Sequence, residues 1–186
     1  TGGLGLLTAR WLAQRGARAV AIASRSGVLA SGTANEWQQL QAAAAGVRVQ
    51  RCDAAEAAQV RQLAALTRGA AGRAGVWHAA GVVADCVLPR QTAHTLVRVY
   101  APKAIGAFAL QSACWAVVVH AFTLFSSVSA LLGDLAQANY SAANVCLDAL
   151  ASCRRAQSTV GVSVQWASWA EIGMAARGAA EERAAA

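Results

Sequence analysis

A hydroxyl at Ser127, a phenol at Tyr140 and an ammonium at Lys103 are the side chains of this sequence best suited to work on a carbonyl. Asn144 follows Tyr140 by four residues, so on a helix the two share one face, a turn apart. Ser127 closes an apolar run that reads as a strand. Lys103, the only lysine of the chain, falls near the start or middle of the long helical stretch before that strand. Ser127, Tyr140 and Lys103 have complementary uses in reducing a ketone. Ser127 would polarise the oxygen, and Tyr140 would donate a proton as hydride reaches the carbon. Lys103 would lower the Tyr140 pKa from its usual value of ~10 and help to hold a cofactor ribose.

A second set of residues has the pattern of a dinucleotide site. Thr1-Gly2-Gly3-Leu4-Gly5 runs straight into a helix. Glycines there let a phosphate approach backbone N–H groups at the positive end of the helix dipole, so Gly2, Gly3 and Gly5 are expected to cradle a pyrophosphate. The next strand ends in Ala23-Ser24-Arg25-Ser26-Gly27. An acidic residue there would suit a free ribose 2′-hydroxyl, whereas Ser24 and Arg25 suit a 2′-phosphate, which favours NADP over NAD. Asp53, after the third strand, reads equally as an acceptor for an adenine amino group and as the N-cap of the following helix. The fourth strand ends in His78-Ala79-Ala80-Gly81, where Ala79, Ala80 and Gly81 would let a flat cofactor lie against the backbone. His78 reads as a structural hydrogen-bonding group, since no nucleophile lies near it in the sequence.

These residues need a scaffold, and the apolar pattern predicts one. Strands are expected at Ala19–Ala23, Val47–Cys52, Gly75–His78, Ala121–Ser126 and Val162–Trp166. Helices are expected at Gly5–Arg15, Ala34–Ala45, Ala55–Thr67, Thr92–Gln111 and Gln137–Ala156. Strands alternating with helices of this length imply βαβ units, and right-handed crossovers then leave an α/β Rossmann-like, doubly wound parallel sheet with helices on both faces. Such a sheet opens on a strand before its glycine turn, so a first strand of about five or six residues is expected ahead of Thr1. With no initiator Met either, the chain reads as a piece of a longer protein.

Composition narrows the classes further. With 186 residues, 56% of them hydrophobic and 13% charged, the chain is a folded domain with a large core. The net charge of +7 is dispersed over single arginines, unlike the clustered Lys/Arg of a nucleic-acid binder. Arg154-Arg155 reads as favourable charge at a helix C-terminus. The five cysteines make no C-x-x-C pair and no metal-ligand spacing with the three histidines, so no metal is expected, and buried reduced thiols in a cytoplasmic protein are. No apolar run has the length of a membrane span, and no basic leader precedes the glycine turn.

In order and spacing the motifs resemble those of the ketoreductase domain of modular polyketide synthases, a branch of the short-chain dehydrogenase/reductases. The motifs are Thr1-Gly2-Gly3-Leu4-Gly5, Ser24-Arg25-Ser26-Gly27, Cys52-Asp53, His78-Ala79-Ala80-Gly81, Ala101-Pro102-Lys103, Phe125-Ser126-Ser127, Gln137-Ala138-Asn139-Tyr140 and Trp166 to Met174. The resemblance spans nearly the whole chain. Most of the superfamily carries Tyr-x-x-x-Lys; the polyketide branch, like this sequence, has Asn four after the Tyr and takes its Lys from upstream.

The resemblance implies NADPH-dependent reduction of a β-ketoacyl thioester, held on the phosphopantetheine arm of an acyl carrier protein, to a β-hydroxyacyl thioester. It implies a catalytic set of Lys103, Ser127, Tyr140 and Asn144, and other synthase domains as neighbours. Substrate and stereochemical control would fall to Asp85, Gln137 and Trp169. Val83-Ala84-Asp85 keeps one Asp of the Leu-Asp-Asp fingerprint of the class giving the D-configured hydroxyl. Leu132 and Gln137 stand where the opposite class carries Trp and, in one subclass, His. Two departures stand out: only the last two glycines of the family's turn are matched, by Gly3 and Gly5, and the usual Trp-Gly-Pro-Trp loop reads Trp166-Ala167-Ser168-Trp169. They motivate the alternative of a catalytically silent structural or docking domain, against which stands the presence of all four polar site residues.

Overall fold

The computed structural model of the chain describes residues 1–67, 74–115 and 118–168. Two compact units emerge, one formed by Thr1–Cys52 and the other by Asp53–Ala167. The first contains helix α1 (Gly3–Gln14), strand β1 (Ala19–Ser24), helix α2 (Ala34–Ala43) and strand β2 (Gly46–Arg51). The second contains helix α3 (Ala57–Thr67), strand β3 (Ala74–His78), helices α4 (Ala93–Tyr100) and α5 (Gly106–Ala113), strand β4 (Val119–Ser127), the four-residue helix α6 (Ser129–Leu132), helix α7 (Ala138–Ala156) and strand β5 (Val162–Trp166).

In the first unit, α1 is mostly Leu, Ala, Arg and Gln, all good helix formers. It buries Leu6, Ala9 and Ala13 along one stripe. That stripe meets Ile22 of β1 and Leu40 of α2 in a small apolar core. Gly16, at φ 98°, ends the helix in the left-handed conformation while the Ala17 amide returns to the Leu12 carbonyl. Strands β1 and β2 pair in parallel from Ala19 against Gly46 to Ser24 against Arg51. Beyond β1, Gly27 sits at φ 70°, and a Cβ there would lie 2.9 Å from that of Arg51, so the turn after Ser24-Arg25-Ser26 requires glycine.

The second unit has three parallel strands in the order β3-β4-β5. Phe122 and Leu124 of β4 form its core with Leu147, Leu150 and Ala151 of α7 and Ala107 of α5. The five expected strands and their parallel pairing are present, giving the α/β Rossmann-like class. The single sheet is not: among the described residues the strands form two sheets, β1-β2 and β3-β4-β5.

The long helix expected at Thr92–Gln111 is broken into α4 and α5 by a π-helical turn, Ala101–Ile105. Pro102 in that turn has no N–H to give to the α-helical ladder. Arg154 and Arg155 stand in the last turn of α7, as expected, but Arg154 does more than supply charge there. It is buried, stacks its guanidinium 3.9 Å from the Phe122 ring centroid and donates to the Val160 carbonyl. None of the five cysteines is in a disulfide, and only Cys52 is buried. No helix among the described residues is long and apolar enough to cross a membrane.

Leu147, at 1% exposure, is the side chain through which α7 grips β4. Leu147→Ala is expected to cost about 2–5 kcal/mol, read as a lowered denaturant midpoint with the denaturant slope unchanged.

Candidate active site

The alternation of β4 sends its last two serines to different tasks. Ser126 is buried and its hydroxyl donates to the Asn144 carbonyl at 3.3 Å. Ser127 is half-buried, and its oxygen accepts the Ser129 amide at 3.2 Å as the chain turns into α6. From α7, Asn139, Tyr140 and Asn144 all point inward. Asn144 is fully buried and donates from Nδ2 to the Tyr140 carbonyl at 2.8 Å, while its Oδ1 has no partner.

Burial pushes the Tyr140 phenol above its ordinary value, and the Asp85 charge adds to this; the neighbouring Asn144 and Ser127 side chains act in the opposite direction. The net shift runs against the lowering by Lys103 expected from the sequence, because desolvation of the phenolate dominates. At neutral pH Tyr140 is therefore a protonated donor.

Lys103 rides on the π-helical turn and is only 3% exposed. Its Nζ donates to the Phe125 carbonyl at 3.0 Å and stands 5.1 Å from the Tyr140 ring centroid. Burial pulls its pKa down to about 8, with Asp148 opposing the fall. Asp148 is itself fixed on α7 by bonds from Ser163 at 2.5 Å and Gln165 at 2.9 Å on β5. His78 is the structural group that the sequence suggests. Burial lowers its pKa to about 4, so its imidazole is neutral and Nε2 donates to the Lys103 carbonyl at 3.0 Å.

The residues expected to hold a cofactor are divided between the units. Gly2, Gly3 and Gly5 form the start of α1, with Gly2 as N-cap and no acidic residue in the first turn. Ser24 hydrogen-bonds within its own turn, and Arg25 beside it is exposed. In the second unit, Asp53 accepts the Ala55 amide at 3.0 Å in a turn leading to α3, close to the capping role weighed for it. Ala79, Ala80 and Gly81 follow β3, and a Cβ on Gly81 would lie 3.0 Å from Cε of Lys103. Asp85 and Gln137 meet, Gln137 Nε2 donating to the Asp85 carboxylate at 3.4 Å. Trp169 lies outside the described residues. Among the described residues no three His, Cys, Asp or Glu side chains cluster as metal ligands. Sequence reasoning passed over Asn139, whose one signal was its place immediately before Tyr140.

The 3.0 Å approach over Gly81 yields a test. Gly81→Ala should push the Lys103 stem aside by a few tenths of an ångström and lower turnover on the order of tenfold. The far-UV circular dichroism should stay unchanged.

Comparison with known proteins agrees with this geometry. The KR domain family model matches residues 1–171. A polyketide synthase of Streptomyces halstedii, GfsB, is 43% identical over 98% of this chain, which spans only 3% of that protein's length. Among solved structures, the ketoreductase from the first module of phoslactomycin biosynthesis in Streptomyces sp. HK803 is 38% identical. It superposes with a TM-score of 0.85 over 94% of this chain and 40% of its own. An A1-type ketoreductase is 34% identical with a TM-score of 0.90, covering 98% of this chain and 38% of its own. With a site whose Lys comes from upstream and whose Tyr is followed four residues on by Asn, the chain belongs to the KR domain family, the ketoreductases of modular polyketide synthases within the short-chain dehydrogenase/reductase superfamily.

Proposed function

We propose that this chain is the catalytic, nucleotide-binding part of a ketoreductase within a longer, cytoplasmic polyketide synthase. It would reduce a β-ketoacyl thioester presented by an acyl carrier protein, with NADPH as reductant. The observation that carries the reading is the convergence of Tyr140, Ser127, Asn144 and Lys103 in the second unit.

The residues present fit a nicotinamide dinucleotide phosphate. Helix α1 starts on glycines with no side-chain cap and no acidic residue in its first turn, leaving its first amides to an anion. Arg25 supplies a cation, Ser24 and Ser26 supply hydroxyls, and the Ser24-to-Gly27 stretch forms one compact turn. When bound, NADPH supplies the hydride.

Ser127 and Tyr140 would donate hydrogen bonds to the ketone oxygen and so polarise the carbon. Tyr140 gives up its proton as the alkoxide forms, a transfer favoured by the far greater basicity of an alkoxide than of a phenolate. Lys103 has three N–H donors, of which Phe125 takes one, so its ammonium can hold ribose hydroxyls and stabilise the transient phenolate. Asp85, beside Gln137, would set which face of the ketone is presented, with the D-configured hydroxyl as the expected product.

Tyr140→Phe should cut turnover of a β-ketoacyl N-acetylcysteamine thioester by ~10²–10⁴-fold, while NADPH binding, followed by fluorescence, persists. Full activity in that variant would rule out Tyr140 as proton donor, and absence of NADPH binding by the ketoreductase polypeptide would favour a silent domain.

A pH dependence also follows. Lys103 is charged below its pKa of about 8 and neutral above it. The kcat/KM for NADPH should therefore fall as pH rises through about 8, well below the ordinary lysine range. Lys103→Arg should remove that limb. For stability the sign is opposite, because the folded-state pKa lies below the unfolded one and the penalty for burying the charge is relieved as pH rises from the first value towards the second.

A further inference from the structure

Asp85 has a weak hold on its own position. It is exposed, and the side-chain bond it accepts from Gln137 is 3.4 Å long. A carboxylate so placed cannot set the handedness of a reaction unless the backbone that carries it is fixed relative to Tyr140. That backbone is fixed, and the side chain responsible belongs to neither group. Asn139 is 1% exposed and uses both ends of its amide. Its Nδ2 donates to the Ala84 carbonyl at 2.9 Å and, more weakly, to the Thr95 carbonyl at 3.4 Å. Its Oδ1 accepts the Tyr140 backbone amide at 2.8 Å.

An Asn in the first turn of a helix ordinarily faces water or caps its own turn. This one is withdrawn from solvent and reaches to residues 55 and 44 positions away in the chain. Flanking bonds complete the hold: the Cys86 amide donates to the Ala136 carbonyl at 2.7 Å, and Gln91 donates to the Cys86 carbonyl at 2.7 Å. Ala136 takes a left-handed φ of 60°, a conformation that a non-glycine residue keeps only when its surroundings hold it there.

We propose that Asn139 is a positioning residue for product configuration, clamping the Ala84–Cys86 backbone, and with it Asp85, to the turn of α7 that presents Tyr140. The inference rests on the ketoreductase reading above. Only an amide of this length satisfies the site. Asp cannot donate to two carbonyls, Ser falls short of Ala84, and Gln adds a methylene to a position with 1% exposure.

The test uses the full ketoreductase polypeptide with an α-methyl-β-ketoacyl N-acetylcysteamine thioester and chiral separation of the products. Asn139→Asp keeps the acceptor for the Tyr140 amide but sets a carboxylate against the carbonyls. At about pH 8 its ratio of major to minor configuration should fall on the order of tenfold and KM should rise, with kcat affected less. Towards about pH 5 the buried carboxyl takes up a proton, regains a donor and should recover much of that ratio. An unchanged product ratio together with a lowered kcat or melting temperature would reduce Asn139 to a structural role and overturn the proposal.

A second measurement is independent of turnover and of the variant's folding. In the wild-type protein the Asn139 side-chain amide protons and the Cys86 backbone amide should resist hydrogen exchange; free exchange at either place overturns the clamp. Protection without any ketone reduction would instead count against the ketoreductase reading while leaving the clamp in place.

Discussion

A primary amine that is only 3% exposed must be hydrogen-bonded and held close to a compensating charge or π-face, and much of the second unit meets that demand for Lys103. Phe125 supplies a carbonyl from the strand, the Tyr140 ring lies at 5.1 Å, and the Asp148 charge acts from further along α7. None of these removes the desolvation penalty, which is why the pKa settles at about 8. The amine keeps its charge at neutral pH while standing close to losing it, a state that suits the role proposed for it of holding sugar hydroxyls and stabilising a transient phenolate.

The small residues around the site follow from that amine. Gly81 is glycine because a Cβ would press on the Lys103 stem. Gly106, just after the π-helical turn, is glycine because a Cβ would stand 2.9 Å from that of Ala54 and 3.2 Å from the His78 ring. His78 has to come close because it bonds the Lys103 carbonyl, and the helical ladder is disturbed there because Pro102 cannot donate. The Lys103 side chain thus accounts for Gly81, and its backbone carbonyl for the approach of His78, which in turn helps to explain Gly106.

The elements were legible because their periods are clean. Val, Ile and Phe alternate through the strands, and the Ala/Leu/Gln/Arg stretches carry helical stripes. All five strands fall within a few residues of their expected places. The proposed quartet stands out in the sequence for a different reason: a lone lysine and a Tyr with Asn four residues on are rare enough in combination to point at one chemistry. What escaped the sequence depends on contacts between distant segments. The π-helical turn needs Pro102 inside an otherwise sound helical pattern, and Pro alone predicts a kink or an end. The rise in the Tyr140 pKa depends on how deeply α7 packs. Asn139 reads as an ordinary polar residue until Ala84 and Thr95 are brought to it, and Arg154 reads as a helix-end charge until Phe122 lies beneath it.

The two perturbed acids also bear on how the site would reset. Burial moves Lys103 and Tyr140 in opposite directions because desolvation disfavours whichever form carries charge, the ammonium in one case and the phenolate in the other. The ammonium therefore becomes a stronger acid than the phenol. Were the two at their ordinary values, neither would have a clear claim on a shared proton. On the proposed mechanism, a phenolate left by proton transfer to substrate would be the better base of the two. The same burial that makes Lys103 costly to keep thus favours the protonated form of Tyr140, and a variant that exposed this corner to water would weaken both effects together.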